Sequence, residues 1–341
     1  MNKILKFKWR QIFGLLLLVI AATLLYRHRS EIKYSFDLTK QIQPLFLLAI
    51  LFVQFLTYVS DALVIKSLFR IFRQTKIPFK KFFQAAIIAK FLNNALPSAG
   101  ASGSSFLINF FHRESIKNGQ AAVASLIFYL FYILSFFLFL LFSLIYLFLK
   151  GGLGTSYALA GGISITIFSV LLLFLFFLLQ SQVKFFSFLG RLILKINSFF
   201  YHHFKWTVFS SPRLLKFFEE MTIGEKLITA DKRKLIAPFV YSALFNFFHY
   251  LTIYLIFLSF SFPVSIEKII CGASIAGLIS FVTFLPGGFG VYETSMAMTY
   301  YNLGVPLNLA ILVTLIFRLF SLWAPIPVGL FLYHRSKGKQ K

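Results

Sequence analysis

The sequence predicts an all-α polytopic membrane protein with about six full spans and two re-entrant helical hairpins of opposite orientation, as a single integral membrane domain over residues 1–341. Three observations carry this expectation. The chain is 59% hydrophobic and 13% charged, with mean hydropathy +0.82, whereas a soluble domain carries about a quarter charged residues. Apolar stretches of about 20 residues, long enough to cross a bilayer, recur along the whole length and leave no room for a water-soluble domain of ordinary size. Two further apolar regions, 82–111 and 267–303, are broken near their middles by proline and glycine, which lipid tolerates only where the broken backbone is buried in protein or lines a wet cavity.

Full spans are expected at about 11–27, 44–68, 120–149, 154–180, 235–261 and 306–333. The first reads as a retained span, not a signal peptide, because no small-residue cleavage site precedes the basic Arg27-His28-Arg29 that ends it. An even number of spans puts both termini on one side. Lys3, Lys6, Lys8 and Arg10 precede the first span, and Arg335, Lys337, Lys339 and Lys341 follow the last. Inner loops collect the basic residues from Lys66 to Lys90, then Arg113, Lys117 and ten more between 182 and 235. The outer side holds Arg27, Arg29, Lys33, Lys40, Lys150 and Lys268. That bias makes both termini cytoplasmic in a multi-pass protein of the cell membrane.

The interruptions are LPSAGASGSS (96–105) and LPGGFGVYE (285–293). Proline lacks an amide donor and glycine loosens a helix, so each leaves backbone groups unpaired. The charge distribution returns each segment to the side it came from, one dipping in from the cytoplasm and the other from outside. That is the layout of an inverted repeat, although the two tips share little sequence beyond Leu96-Pro97 and Leu285-Pro286. Between the halves, 182–235 reads as a cytoplasmic, interfacial segment. Its amphipathic run 183–203 sets Lys184, Arg191 and Lys195 against an apolar face of Phe and Leu, a helix lying flat on the bilayer.

A net charge of +24 is explained by basic loops facing anionic lipid, which leaves no need for nucleic acid as a partner. The single cysteine, Cys271, permits no intrachain disulfide, and no metal-ligand spacing occurs. Nucleotide-phosphate and zincin motifs are absent, His202-His203 reads as an interfacial pair, and His249 reads as a hydrogen-bonded core histidine ahead of a proton relay. No enzyme and no cofactor are expected.

Charge inside the membrane is the most informative signal, at about 2.5–3.5 kcal/mol for each ionisable side chain at mid-bilayer. Asp61 lies late in the second span and is expected near the inner interface, in a structural role. Arg318 lies about twelve residues into the last span, about 18 Å deep at helical rise. Glu293 follows the second tip and should reach similar depth, so the two form either a substrate site or a structural ion pair. After each break the chain resumes as a helix. Ser98, Ser102 or Ser104 can cap the first, and Gly287, Gly288 and Gly290 expose amides at the second. Two helix N-termini meeting at mid-bilayer would attract a phosphate or carboxylate, with Asn93 and Asn94 as further donors.

The stretches NNALPSAGASGSSFLINFFHRESI and FLPGGFGVYETSMAM, with LGVPLNLAILVTLIFRLFSLWAPIPVGL after them, resemble the transmembrane region of the lysylphosphatidylglycerol synthase/flippase family over about residues 44–333. The most specific part is the PGG-G-x-x-E tip with the later LxxRxxxxWxP segment. The resemblance implies a lipid translocase, with Pro286, Gly287, Gly288, Gly290, Glu293 and Arg318 on the family pattern and Pro97 and Gly100 on the first tip. Members that make lysyl-lipid carry a large soluble transferase after the membrane part, whereas this chain ends at Lys341 in a basic tail, so synthase activity is not expected. The leading expectation is a flippase-like transporter of an anionic or aminoacylated phospholipid, possible as a homo-oligomer. The rivals are a membrane-embedded enzyme acting on a lipid-linked phosphate through Ser98, Ser102 or Glu293, and an accessory subunit of a separate lipid-modifying synthase.

Overall fold

The computed structural model describes residues 42–73, 76–96, 98, 100–149, 155–179, 211–282 and 286–338, with scattered positions between 23 and 40 and between 186 and 195. The helices are α1 (Pro44–Phe72), α2 (Phe79–Ala95), α3 (Ala101–Arg113), α4 (Asn118–Leu149), α5 (Thr155–Leu179), α6 (Ser211–Ala230), α7 (Ile236–Ser259), α8 (Ile266–Val282), α9 (Val291–Asn302), α10 (Leu307–Arg318) and α11 (Pro325–Gly338). Short 3-10 turns occupy Lys232–Leu235 and Pro286–Gly288, and a π turn occupies Leu319–Trp323. Five helical stretches, within 44–72, 118–149, 161–179, 232–259 and 307–336, are long and apolar enough to cross a membrane. They coincide with five of the six expected spans. The remaining one, 11–27, lies outside the described residues, as does most of 183–203 with His202-His203.

Helices dominate because a spanning backbone must satisfy its own hydrogen bonds. Hydroxyls inside the spans follow the same rule: Thr57, Ser60, Thr252 and Thr314 each bond a carbonyl one turn back in their own helix. Outward faces stay apolar and exposed, as at Phe52, Phe142, Leu173 and Phe176.

The two interrupted regions are helical hairpins. Legs α2 and α3 pack on each other, as do α8 and α9. Among the described residues three candidate spans, α4, α5 and α7, lie between them, an odd number that gives the hairpins opposite orientations.

Sliding the chain along itself until Leu96-Pro97 overlies Leu285-Pro286 brings α1 onto α7, α2 onto α8, α3 onto α9, and α4 onto α10 through α11, each within about three residues. Local geometry repeats as well. Ser115 falls on Gly304, and both take positive φ. Beside them Ile116 N bonds Phe111 O, and at matching places Val305 N bonds Tyr300 O, so the second leg of each hairpin ends in the same left-handed cap. The halves interlock: α1 packs along α7, α2 packs on α11, and α8 packs on α4. The inverted repeat is therefore a property of the fold, although little sequence identity announces it.

The last span is not continuous. Pro325 lacks a donor for the carbonyl four residues earlier and crowds it, and the helix widens into the π turn just before it, with Ala324 N bonding Leu319 O. Arg318 sits immediately ahead of this turn.

Helix α6 lies outside the candidate spans and rests on the start of α4, where Glu220 Oε2 accepts a bond from Gly119 N at 3.0 Å. Glu225 of α6 is 2% exposed, and neither carboxylate oxygen has a hydrogen-bond partner among the described residues. Burial holds its carboxyl above the ordinary range. The folded-state value exceeds the unfolded one, so Glu225 stabilises the fold fully only below the unfolded value of about 4.3, and this stabilisation fades as pH rises through the raised value. Glu225→Gln is expected to raise the unfolding temperature at neutral pH and to lose that advantage near pH 4, as read by thermal unfolding across pH.

Candidate functional site

The second tip is built around glycine. Gly287 and Gly288 take positive φ of 58° and 67°, open to glycine at little cost. A Cβ on Gly287 would crowd Leu322, and its next neighbour is the backbone oxygen of Asn94 from the first hairpin. The tip that begins at Pro286 thus lies directly against the C-terminal end of α2. Leu92, Ala95 and Leu96 of the first hairpin share an apolar cluster with Phe289, Leu322 and Trp323, and the rings of Phe289 and Trp323 are 5.0 Å apart. The two interruptions meet inside the protein.

Arg318 closes this junction. It is 7% exposed, donates from Nε to Glu293 Oε1 at 2.5 Å and from Nη2 to the Gly287 carbonyl at 2.5 Å, and lies over the Tyr292 ring at 4.7 Å. Glu293 sits in the first turn of α9, where a carboxylate also complements the helix dipole. Its side chain is 19% exposed, yet Oε2 is buried and has no hydrogen-bond partner among the described residues.

Glu293 also ends a groove of about 370 Å³ between α9 and α10, lined by Ala297, Met298, Leu307, Ile311 and Leu315. Met298, Leu307 and Ile311 are more than two-fifths exposed, so the groove opens on the lipid-facing surface.

The first tip has a different chemistry. Gly100, at φ 91°, precedes α3, and Ser98 Oγ accepts the Ser102 amide at 3.1 Å. Asn93 Oδ1 accepts the Gly103 amide at 2.8 Å, while its Nδ2 donates to Tyr129 OH at 2.9 Å. Ser102 Oγ bonds Leu92 O at 2.9 Å. The expected anion-binding N-terminus at this tip is thereby corrected, because side chains of the hairpin itself take the amides of Ser102 and Gly103. Pro97 lies outside the described residues. Asn94 contributes a buried Nδ2 with no hydrogen-bond partner among the described residues. In the repeat, Tyr129 falls on Arg318 and Ser104 on Glu293. Each last span therefore sends one polar side chain into its own half's hairpin, neutral in the first half and charged in the second.

One residue departs from its expected place. Lys90, assigned to an inner loop by charge counting, lies in α2 with its Nζ over the Phe245 ring at 5.4 Å. Asp61 is 7% exposed in α1. The helices that carry the two, α1 and α2, pack on each other. Lys90 was missed because a lysine late in a short helix between basic loops looks like one more loop charge. His249 is packed among aromatic rings, 4.7 Å from Phe317, in place of the expected hydrogen-bonded histidine. Among the described residues no group of three His, Cys, Asp or Glu could hold a metal ion.

Relatives match parts of this sequence. The chain is 24% identical over 265 residues to a UPF0104 membrane protein of Methanocaldococcus jannaschii, covering 74% of this chain and 73% of that one. It is 31% identical over 126 residues to a UPF0104 membrane protein of Methanothermobacter thermautotrophicus, covering 35% and 38% of the two chains, so the match spans well under half of that relative. Residues 11–329 match the lysylphosphatidylglycerol synthase TM region, a match that takes in both hairpins, Glu293 and Arg318. The chain belongs to that family of membrane proteins.

Proposed function

We propose that the protein is a flippase-like transporter that moves a phospholipid between membrane leaflets, in a cell membrane with both termini cytoplasmic. The observation that carries the reading is the lipid-facing groove between α9 and α10 that ends at Glu293, with buried Arg318 directly behind it. A headgroup phosphate would exchange for Glu293 on the guanidinium, which suits a phosphate by charge and by its fork of donors. The acyl chains would stay along the apolar groove. Membership in the family adds weight to a lipid-related role.

The hydrolytic rival draws less support. Ser98 and Ser102 spend their hydrogen bonds within the first tip, and Glu293 is held by Arg318.

Ile311→Trp fills the groove from its exposed rim. In vesicles carrying fluorescent phospholipid, wild type should speed leaflet exchange over empty vesicles, and the variant should lose most of that increment with an unchanged unfolding temperature. Equal exchange in empty and protein-bearing vesicles would refute the transport reading.

A further inference from the structure

We propose that the groove between α5 and α7 is a resident-lipid site that holds one anionic phospholipid, with an acyl chain along the groove and the phosphate at Lys232. The site is separate from the groove between α9 and α10 and does not depend on transport.

Helices α5 and α7 both pack on α4, and the space left between them is a groove of about 300 Å³, at the small end of the range for ligand clefts. Leu138 of α4, Leu172 of α5 and Ile236 at the start of α7 line it, and each is more than two-fifths exposed. Only 11% of the span within 161–179 is buried, against half or more of every other candidate span, so α5 is the candidate span least covered by protein. From Phe168 to Leu179 the α5 wall measures about 16 Å at helical rise. That is close to one leaflet, half of a hydrocarbon core of about 30 Å.

One end of the groove is charged. The rings of Phe131 and Phe239 lie 5.6 Å apart and those of Phe139 and Tyr250 lie 5.4 Å apart, so α4 and α7 run parallel. Helices α4 and α5 pack on each other and are joined by so few residues that they run antiparallel. Lys232 therefore sits at the end of the groove where α5 stops, at Leu179. Among the described residues it is the one polar side chain in the lining. Its stem lies along apolar surface while its ammonium reaches the headgroup layer.

The local charge selects the occupant. Asp231 is taken by Lys234 at 3.5 Å, which leaves Lys232 and Arg233 without an ion pair among the described residues. The turn that carries them has no capping side chain on its amides. The groove between α9 and α10 ends on a carboxylate, whereas this one ends on uncompensated cations, which attract an anionic headgroup.

The test is native mass spectrometry of the purified full chain, titrated with dioleoyl phosphatidylglycerol and dioleoyl phosphatidylcholine in an Ile311→Trp background that fills the other groove. One phosphatidylglycerol should be retained over phosphatidylcholine by about fivefold, the scale of one basic side chain near an anionic lipid. Lys232→Gln should remove most of the preference, and Lys232→Arg should keep it. Leu172→Trp, and Leu138→Trp from the α4 wall, should weaken retention of both lipids at an unchanged unfolding temperature in lipid-free micelles. The proposal is overturned by equal retention of the two lipids, by an intact preference in Lys232→Gln, or by full retention in both tryptophan variants. Glycerophosphoglycerol binding as tightly as the lipid would overturn the acyl-chain assignment. Absence of leaflet exchange in vesicles with the preference intact would sink transport alone and leave this site standing.

Discussion

Arg318→Ala abolishes protein-dependent lipid exchange and lowers the unfolding temperature more than any other single change at the site. Removing the guanidinium leaves the Glu293 carboxylate and the Gly287 carbonyl without their donor, and breaking a buried pair in this way costs about 3–5 kcal/mol. Structural and functional roles separate in the double variant. Adding Glu293→Gln removes the orphaned charge, so most of the stability should return while exchange stays absent. Thermal unfolding and vesicle exchange on the same preparations read the two effects. A double variant that moves lipid at the wild-type rate would make Arg318 scaffold and remove it from the transport site.

The second large effect is expected at Asn93→Ala. Its amide joins the two legs of the first hairpin to α4, taking the Gly103 amide and giving to Tyr129. Truncation strands both groups, each at a cost of about 1–3 kcal/mol. Hydrogen exchange at the start of α3 should quicken by at least about tenfold, and the unfolding temperature should fall. Asn93→Asp keeps the acceptor and should protect Gly103 while losing the donation to Tyr129. Unchanged exchange at Gly103 in the alanine variant would contradict the pinning role.

Much of the fold could be read from residues alone, because a bilayer turns length and polarity into topology. Both hairpins and five spans were visible that way, and so were Glu293 and Arg318, since ionised groups stand out against a run such as LNLAILVTLIFR. The tip-to-tip contact was expected from the two interruptions, but not its partners. Asn93 and Tyr129 resemble any interhelical glue until their distances are known. Lys90 was hidden by its neighbours in sequence, which are basic loops. The π turn needed the backbone itself, because Pro325 announces a missing bond without saying whether the helix will kink, stop or widen. The inverted repeat was legible as topology but not as sequence: its register is held by packing and caps, and the residues that fill equivalent places are chemically unlike.

That shared register sets where the chain can change length. Because α2 leans on a helix of the opposite half, and α8 does so in return, one extra residue inside either half would slide a hairpin past a neighbour encoded in the other half. The stretch joining the halves is tied in as well, through α5 and α6, which pack on α4. Each half therefore behaves as a ruler cut to match the other.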